Sequence, residues 1–145
     1  IDIWEEWISH KGERLNIPVL RRYLEAATGS RPRVCSWRGT CANYLGIMGD
    51  GGVYPCGRFA GLPELKLGYI QETSIWDLTK SELHQNQLNR MLKIPSKCET
   101  CKWNRVCNNG CPAHRYTSEG GFLANSPLCP ATQKILSYVE ASLKA

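Results

Sequence analysis

In residues 1–7 apolar and acidic side chains alternate at helical spacing, which predicts the end of a helix. Asn16 is placed to cap a second helix, with Pro18 in its first turn and an end near Ala27. Ile17, Leu20, Tyr23, Leu24 and Ala27 would share one face of it; Gly29 then serves as a C-terminal cap, and Pro32 prevents continuation. After Cys41 the period changes. Two short apolar runs, 44–48 and 53–56, flank Asp50-Gly51-Gly52 and predict a β-hairpin. Residues 57–68 are loop-like, and Tyr69-Ile70 predicts a short edge strand. Ser74 should cap a short helix carrying Ile75, Trp76 and Leu78. Ser81 should cap an amphipathic one through Leu83, Leu88, Met91 and Leu92, stopped by Pro95. Residues 97–129 are rich in turn formers and cannot build a conventional core alone. A last helix is predicted over about 130–143, with Ile135, Leu136, Val139 and Leu143 on one face.

The 145 residues suit one domain, but the apolar bursts are broken by Gly, Pro, Asn and Cys. A chain built that way leans on cross-links or bound metal besides its core. It opens on Ile1, so it is expected to be a segment of a longer protein. Residues 1–10 lack the basic start and apolar run of a secretory signal, and no stretch reaches the roughly 20 apolar residues of a membrane span. The expected setting is cytoplasmic, away from the membrane, where thiols stay reduced and clustered cysteines point to metal. The formal charge is +5, but no dense Lys/Arg run is present, so no nucleic-acid partner is expected.

The eight cysteines form two groups: Cys35-x5-Cys41-x14-Cys56, and Cys98-x2-Cys101-x5-Cys107-x3-Cys111 followed by x17 and Cys129. Thiolates are soft, anionic donors, and four of them complete the iron sites of a cubane. A close pair such as Cys98-x2-Cys101 aims two sulfurs at one centre, and the distant cysteines staple remote loops. Disulfides fit the even count but not a reduced compartment. Two structural zinc sites fit eight cysteines, yet only one C-x2-C knuckle is present where zinc ribbons usually bring two. Iron–sulfur clusters are the favoured reading, with zinc left open. Gly57 and Gly110, beside cysteines, would let backbone approach a bulky cluster. Two oxidised four-iron clusters of about −2 each would bring the formal +5 down to about +1. Arg33, Arg38, Arg58, Lys97, Lys102, Arg105 and Arg115 lie near the cysteines to offset that negative charge, although each taken singly reads as a solvated surface residue.

Here the chain resembles a known family. Cys41-x9-Gly51-x4-Cys56, then Cys98-x2-Cys101-x5-Cys107-x3-Cys111, then Cys129 resembles the seven-cysteine signature of the SPASM domain. That domain follows the partial (β/α) barrel of radical S-adenosylmethionine (SAM) enzymes that modify peptides and proteins. The extra Cys35 is similar to members with two complete auxiliary clusters, the anaerobic sulfatase-maturating enzymes among them. The resemblance covers residues 34–130. It implies that 1–33 are the end of the barrel with a bridging helix, and that 34–145 are the SPASM domain with its C-terminal helix. The implied fold is α+β: a small β-hairpin and cysteine-rich loops wrapped around two [4Fe-4S] clusters, with flanking helices. By the same resemblance, Cys35, Cys41 and Cys56 hold the first cluster with Cys111 crossing over as fourth ligand, while Cys98, Cys101, Cys107 and Cys129 hold the second.

The implied function is electron transfer and substrate positioning within a radical SAM enzyme acting on a ribosomally made peptide or protein. The motif C-x3-C-x2-C is absent, since Cys107-x3-Cys111 is followed three residues later by His114. SAM and a third [4Fe-4S] cluster therefore belong to the barrel. The implied partners are that barrel, the peptide or protein substrate, and an external electron carrier such as flavodoxin or ferredoxin. The alternative is a zinc- or cluster-stabilised scaffold that binds a peptide and carries no electrons. Sulfatase-maturating enzymes carry a proton-accepting aspartate after the third cysteine; Gly57 stands there instead, which argues against sulfatase maturation and leaves the catalytic base unassigned. The stretches 54–59 and 67–70 resemble enzymes that crosslink ribosomally made peptides.

Arg58, Tyr54 and Arg38 are candidate first-cluster neighbours or substrate contacts, weighed against packing or surface roles. His114 is weighed as ligand or proton carrier against a solvated histidine, while His10 and His84, in polar helical contexts, suggest no role. Trp37 and Trp103 are expected to shield clusters from water, and Trp4, Trp7 and Trp76 to pack in the core or against the barrel. A domain stapled in this way should lose its fold when iron is removed. Far-ultraviolet circular dichroism should collapse on iron removal, and matching spectra with and without iron would refute the expectation.

Overall fold

The computed structural model describes residues 1–10, 15–116 and 121–144, so the part of the expected 97–129 loop that falls on 117–120 lies outside the described residues. The fold is α+β. Two helices, α1 (Asp2–Ser9) and α2 (Pro18–Ala27), lead into a helical turn, α3 (Cys35–Arg38). Strands β1 (Gly46–Ile47), β2 (Gly52–Tyr54) and β3 (Gly68–Tyr69) form one antiparallel sheet with β2 in the centre. Helices α4 (Ile75–Lys80) and α5 (Glu82–Leu92) follow, then three short turns: α6 (Ser96–Glu99), α7 (Asn104–Cys107) and α8 (Pro112–Tyr116). The long helix α9 (Cys129–Ser142) comes last.

Local chemistry accounts for these boundaries. Ser74 accepts a hydrogen bond from the Asp77 amide, and Ser81 from the His84 amide, each at 3.2 Å, so both expected caps form. At the other end of α2, Gly29 takes φ +80°; its amide donates to Ala26 O, and the Ser30 amide donates to Glu25 O. That double bond satisfies carbonyls the helix leaves open. Asn16 does not cap α2. Ile17 holds the capping position without a side-chain hydrogen bond, because its side chain carries no acceptor for the amides of the first turn. The hairpin forms as expected, with Gly46 opposite Tyr54 and Ile47 opposite Val53. The expected edge strand sits one residue earlier, at Gly68–Tyr69, and pairs with β2, making a third strand.

Three apolar clusters hold the elements together. The largest joins α1, α2 and α9 through Trp4, Leu20, Tyr23, Ala26, Leu136 and Val139, and reaches Trp37 on α3 and Trp103 and Val106 at α7. Trp4 Nε1 also donates to Ser142 Oγ at 3.2 Å, tying the first helix to the last. A second cluster packs Tyr54, Phe59, Leu65, Leu88, Met91, Ala113 and Phe122, and a third, Val53, Leu67 and Leu78, lies under the sheet. The buried face of α5 is His84, Gln87, Leu88 and Met91, whereas Leu83 and Leu92 are exposed. Leu143 and Trp76, both expected in contact, face outward as well. Cys101 and Cys107 pack against the first cluster and Cys56 and Cys111 against the second, so each core borders part of the cysteine framework.

Candidate iron–sulfur site

All eight cysteines are free thiols, and they divide between two cavities. Cys35 opens α3, Cys41 begins a helical turn (Cys41–Asn43), Cys56 leaves β2, and Cys111 precedes α8. These four line one cavity of about 120 Å³ together with Pro55, Arg58, Phe59 and Met91. Cys98 on α6, Cys101, Cys107 at the end of α7 and Cys129 at the start of α9 line the other, with Trp103 and Gln133. It has only about 30 Å³ of free space, so its sulfurs must move outward to admit a cubane.

The division turns on three residues. On a regular helix Cys107 and Cys111, four apart, would share a face. Instead Asn108, Asn109 and Gly110 all adopt positive φ, of 50°, 57° and 68°. Asparagine and glycine are the residues that enter this region at least cost. The reversal leaves Cys107 in the second cavity and delivers Cys111 to the first. Asn109 is buried and fixes the turn from outside: its Nδ2 donates to Ala124 O, and its Oδ1 accepts from the Ser126 amide, both at 3.3 Å.

Electrostatics reports the same grouping. Burial, then the charges of Cys35, Cys111 and Cys56, push the Cys41 thiol from its ordinary 9.0 up to about 11. Cys107 is likewise pushed up to about 11, chiefly by burial, with the Gly110 amide opposing and Cys129, Cys98 and Cys101 adding to the rise. Cys98 is raised by burial and by Cys129 and Cys101. These thiols hold their protons near neutral pH, so a metal must displace them, and binding strengthens as pH rises. Among the described residues no three His, Cys, Asp or Glu side chains converge closely enough for a single metal ion. Zinc draws its sulfurs to about 2.3 Å from one point. A cubane gives each thiolate its own iron, and the four thiols spread around the first cavity suit that arrangement.

A sequence profile for SPASM, an iron–sulfur cluster-binding domain, matches residues 35–109, just over half of the chain. The chain belongs to the SPASM family. A cysteine-type anaerobic sulfatase-maturating enzyme of Clostridium perfringens is 28% identical over 137 residues, which are 94% of this chain and 36% of that protein. The corresponding enzyme of Clostridium novyi is 34% identical over 100 residues, 69% of this chain and 26% of that one. A solved structure described as native anSMEcpe with bound AdoMet and Kp18Cys peptide superimposes with a TM-score of 0.78 at 28% identity, covering 98% of this chain and 39% of that one. The chain thus spans about a third of the length of the relatives it matches.

The other candidate residues of this SPASM domain fall in different places. Arg58 lines the first cavity, and its Nη1 lies 3.0 Å from His114 Nε2. A guanidinium only donates, so Nε2 accepts and the imidazole is the neutral tautomer with its proton on Nδ1. Burial, then Arg58 and Arg22, lower the His114 pKa in the same sense. His114 is partly exposed and held by this bond to Arg58. Tyr54 is buried in the second core cluster and Arg38 is exposed, away from the cavity lining. Trp103 borders the second cavity, whereas Trp37 turns into the core edge-on to Tyr23. His84 is buried, its Nδ1 3.1 Å from Thr79 O.

Two participants escape a cysteine-centred reading. Gln133 Nε2 donates to Cys101 Sγ at 3.5 Å; it stands four residues after Cys129, one helical turn along α9, and that spacing was its only signal. Gly46 is the second. A Cβ there would lie 2.4 Å from Gly57 N, so it is Gly46 that lets the backbone after Cys56 come close, while a Cβ on Gly57 would meet nothing within 4 Å.

A Cβ on Gly110 would sit 3.3 Å from Ser126 Oγ, at a φ that valine strongly resists. Gly110→Val should cost about 1–2 kcal/mol in backbone strain and lower the iron bound by both thiol sets. Gly61→Val, at φ +86° with open space around it, carries similar strain away from the cysteines and should retain iron. Iron content and denaturation midpoints of the two variants decide the matter.

Proposed function

We propose that this chain is the auxiliary-cluster part of a radical SAM enzyme that modifies a ribosomally made peptide or protein. Cys35, Cys41, Cys56 and Cys111 would hold one [4Fe-4S] cluster, and Cys98, Cys101, Cys107 and Cys129 a second. The observation that carries the reading is the division of eight thiols into two quartets, each around its own cavity. Such clusters, when bound, take up and pass on single electrons at potentials set by hydrogen bonds, burial and nearby charge.

The chain's own residues do the rest. Phe59, Met91 and Pro55 keep the first cavity apolar, and Trp103 does so for the second. The Gln133 amide directs a hydrogen bond at the Cys101 sulfur, a contact of the kind that tunes a bound cluster. Arg58, held by His114, presents a cation at the wall of the first cavity, where a substrate carboxylate or backbone carbonyl would meet it. Residues 1–33 would be the end of the barrel and its bridging helix: Ile1, Ile3, Ile8 and Leu15 remain exposed, an apolar surface suited to the rest of a longer protein. That barrel would supply SAM and a third [4Fe-4S] cluster, and a flavodoxin or ferredoxin would exchange electrons with the second cluster.

The relatives named as sulfatase-maturating enzymes support the reaction class, and the absence at Gly57 of the aspartate that the family resemblance implies there argues against their substrate. Because a side chain at 57 would meet open space, the missing carboxylate reflects chemistry and not packing. Gly57→Asp should therefore leave the unfolding midpoint within about 0.5 kcal/mol of the parent; a larger loss would show that the glycine is needed structurally.

Anaerobically prepared full-length protein should hold about eight irons and eight sulfides in this region, beyond those of the barrel, with a four-iron Mössbauer signature. Cys35→Ser and Cys111→Ser should each leave about four of them and stop turnover. Two zincs without sulfide, persisting through anaerobic reconstitution with iron, would establish a zinc scaffold and end the electron-transfer reading. Turnover surviving loss of the first cluster would remove its role as electron acceptor.

A further inference from the structure

Arg115 follows Cys111 by one turn of α8, and its amide donates to the Cys111 carbonyl at 3.3 Å. Only 2% of the residue is exposed. Its guanidinium is anchored on the end of α5, Nη2 donating to Met91 O at 2.5 Å and Nη1 to Lys93 O at 3.3 Å. These carbonyls lie in the last turn and cap of a helix, where intrahelical partners run out. Met91 itself lines the first thiol cavity. The side chain is thus fixed, buried and seated between the elements that carry the two quartets: Cys111 precedes α8, and Cys98 stands on α6, directly after α5.

We propose that the Arg115 guanidinium is a positive charge shared by both thiol sets, and that it raises the reduction potentials of both clusters bound there. The inference rests on the reading that each quartet holds an iron–sulfur cluster. A buried cation favours whichever state of its neighbour is more negative, and it does so more strongly away from water. Reduction adds one electron to a cluster, with no bond made or broken, so the reduced form gains. The guanidinium bonds the carbonyl of Met91, which lines the first cavity, and stands one turn after Cys111. It reaches the second set only through the end of α5 that leads to Cys98, so the first cluster feels the larger effect.

A purely structural Arg115 would tie α8 to α5 and do nothing else, and charge separates the two roles. In the full-length protein, reconstituted anaerobically, each cluster is reduced by one electron from dithionite through mediators and followed by electron paramagnetic resonance. The Cys35→Ser protein identifies the second cluster. Arg115→Gln should lower both midpoint potentials, the first cluster's further. Arg115→Lys keeps the charge and loses the fork, so it should lower the unfolding temperature while leaving both potentials near those of the parent. Unchanged potentials in a fully loaded Arg115→Gln protein overturn the proposal. So do potentials in Arg115→Lys that fall as far as in Arg115→Gln; where the Gln variant fails to bind iron, Arg115→Lys potentials well below those of the parent overturn it on their own. A parent protein without clusters would overturn the cluster reading itself, and would be seen before any variant was made.

Discussion

The structure depends on a reversal of backbone hand over three residues. Asn108, Asn109 and Gly110 take positive φ in succession, and two cysteines only four residues apart therefore serve different cavities. The turn is tightly packed: a Cβ on Gly39, at the end of α3, would lie 2.4 Å from Asn108 Nδ2. The turn thus serves as the place where the hairpin half and the loop half press together. The left-handed region costs an ordinary residue about 1–2 kcal/mol, so a run of three is retained only where surrounding packing enforces it. Asn109, buried and bonded through both amide atoms to the 124–126 segment, supplies that enforcement.

Around this turn the chain has traded core for ligands. The apolar clusters are small and separate, and the 96–111 segment contributes little beyond Val106 and Trp103. In exchange it brings four thiols beside the two cavities, and burial favours the neutral form of Cys98 and of Cys107, which rises to about 11. Buried thiols that resist ionisation destabilise nothing while protonated, but they cannot serve as ligands until something compensates the thiolate charge. Iron would supply that compensation for each quartet, and Arg115 stands where it can assist both. On the proposed reading, metal loading and the final packing of 96–111 would be one event.

What could be read from residues alone was local. Ser74 and Ser81 cap their helices because a hydroxyl followed by helical residues needs only its own first turn to be satisfied. Gly29 ends α2 for an equally local reason. The turn at Asp50-Gly51-Gly52 was legible too, with Gly51 at φ +82° and Asp50 Oδ1 accepting from the Gly52 amide. The failures required knowledge of distant chain. That β3 pairs with β2 depends on Leu67 and Leu78 burying Val53 from the far side. His84, polar and on a helix, is buried because α4 folds back so that Thr79 O meets its ring. Spacing alone would have grouped Cys107 with Cys111; only the resemblance to SPASM members separated them, since no sequence pattern announces where a left-handed run will point its flanking residues.

The two glycines beside Cys56 show why a family of this kind could change substrate without rebuilding its metal site. Position 46 is constrained by sterics: its neighbour across the hairpin is backbone, at distances no Cβ tolerates. That contact, together with the pairing of Gly46 with Tyr54 two residues before Cys56, sets where the cysteine emerges from the sheet. Position 57 is constrained by nothing comparable. Its side-chain direction is open, its φ is not left-handed, and the backbone there is held by the Gly46 contact and the helical turn over Gly57–Phe59. A carboxylate can be gained or lost at 57 while the sulfur of Cys56 stays in place. Steric support for the cysteine thus lies with Gly46 on β1, and the residue after Cys56 is free to vary without moving the thiol framework or the fold.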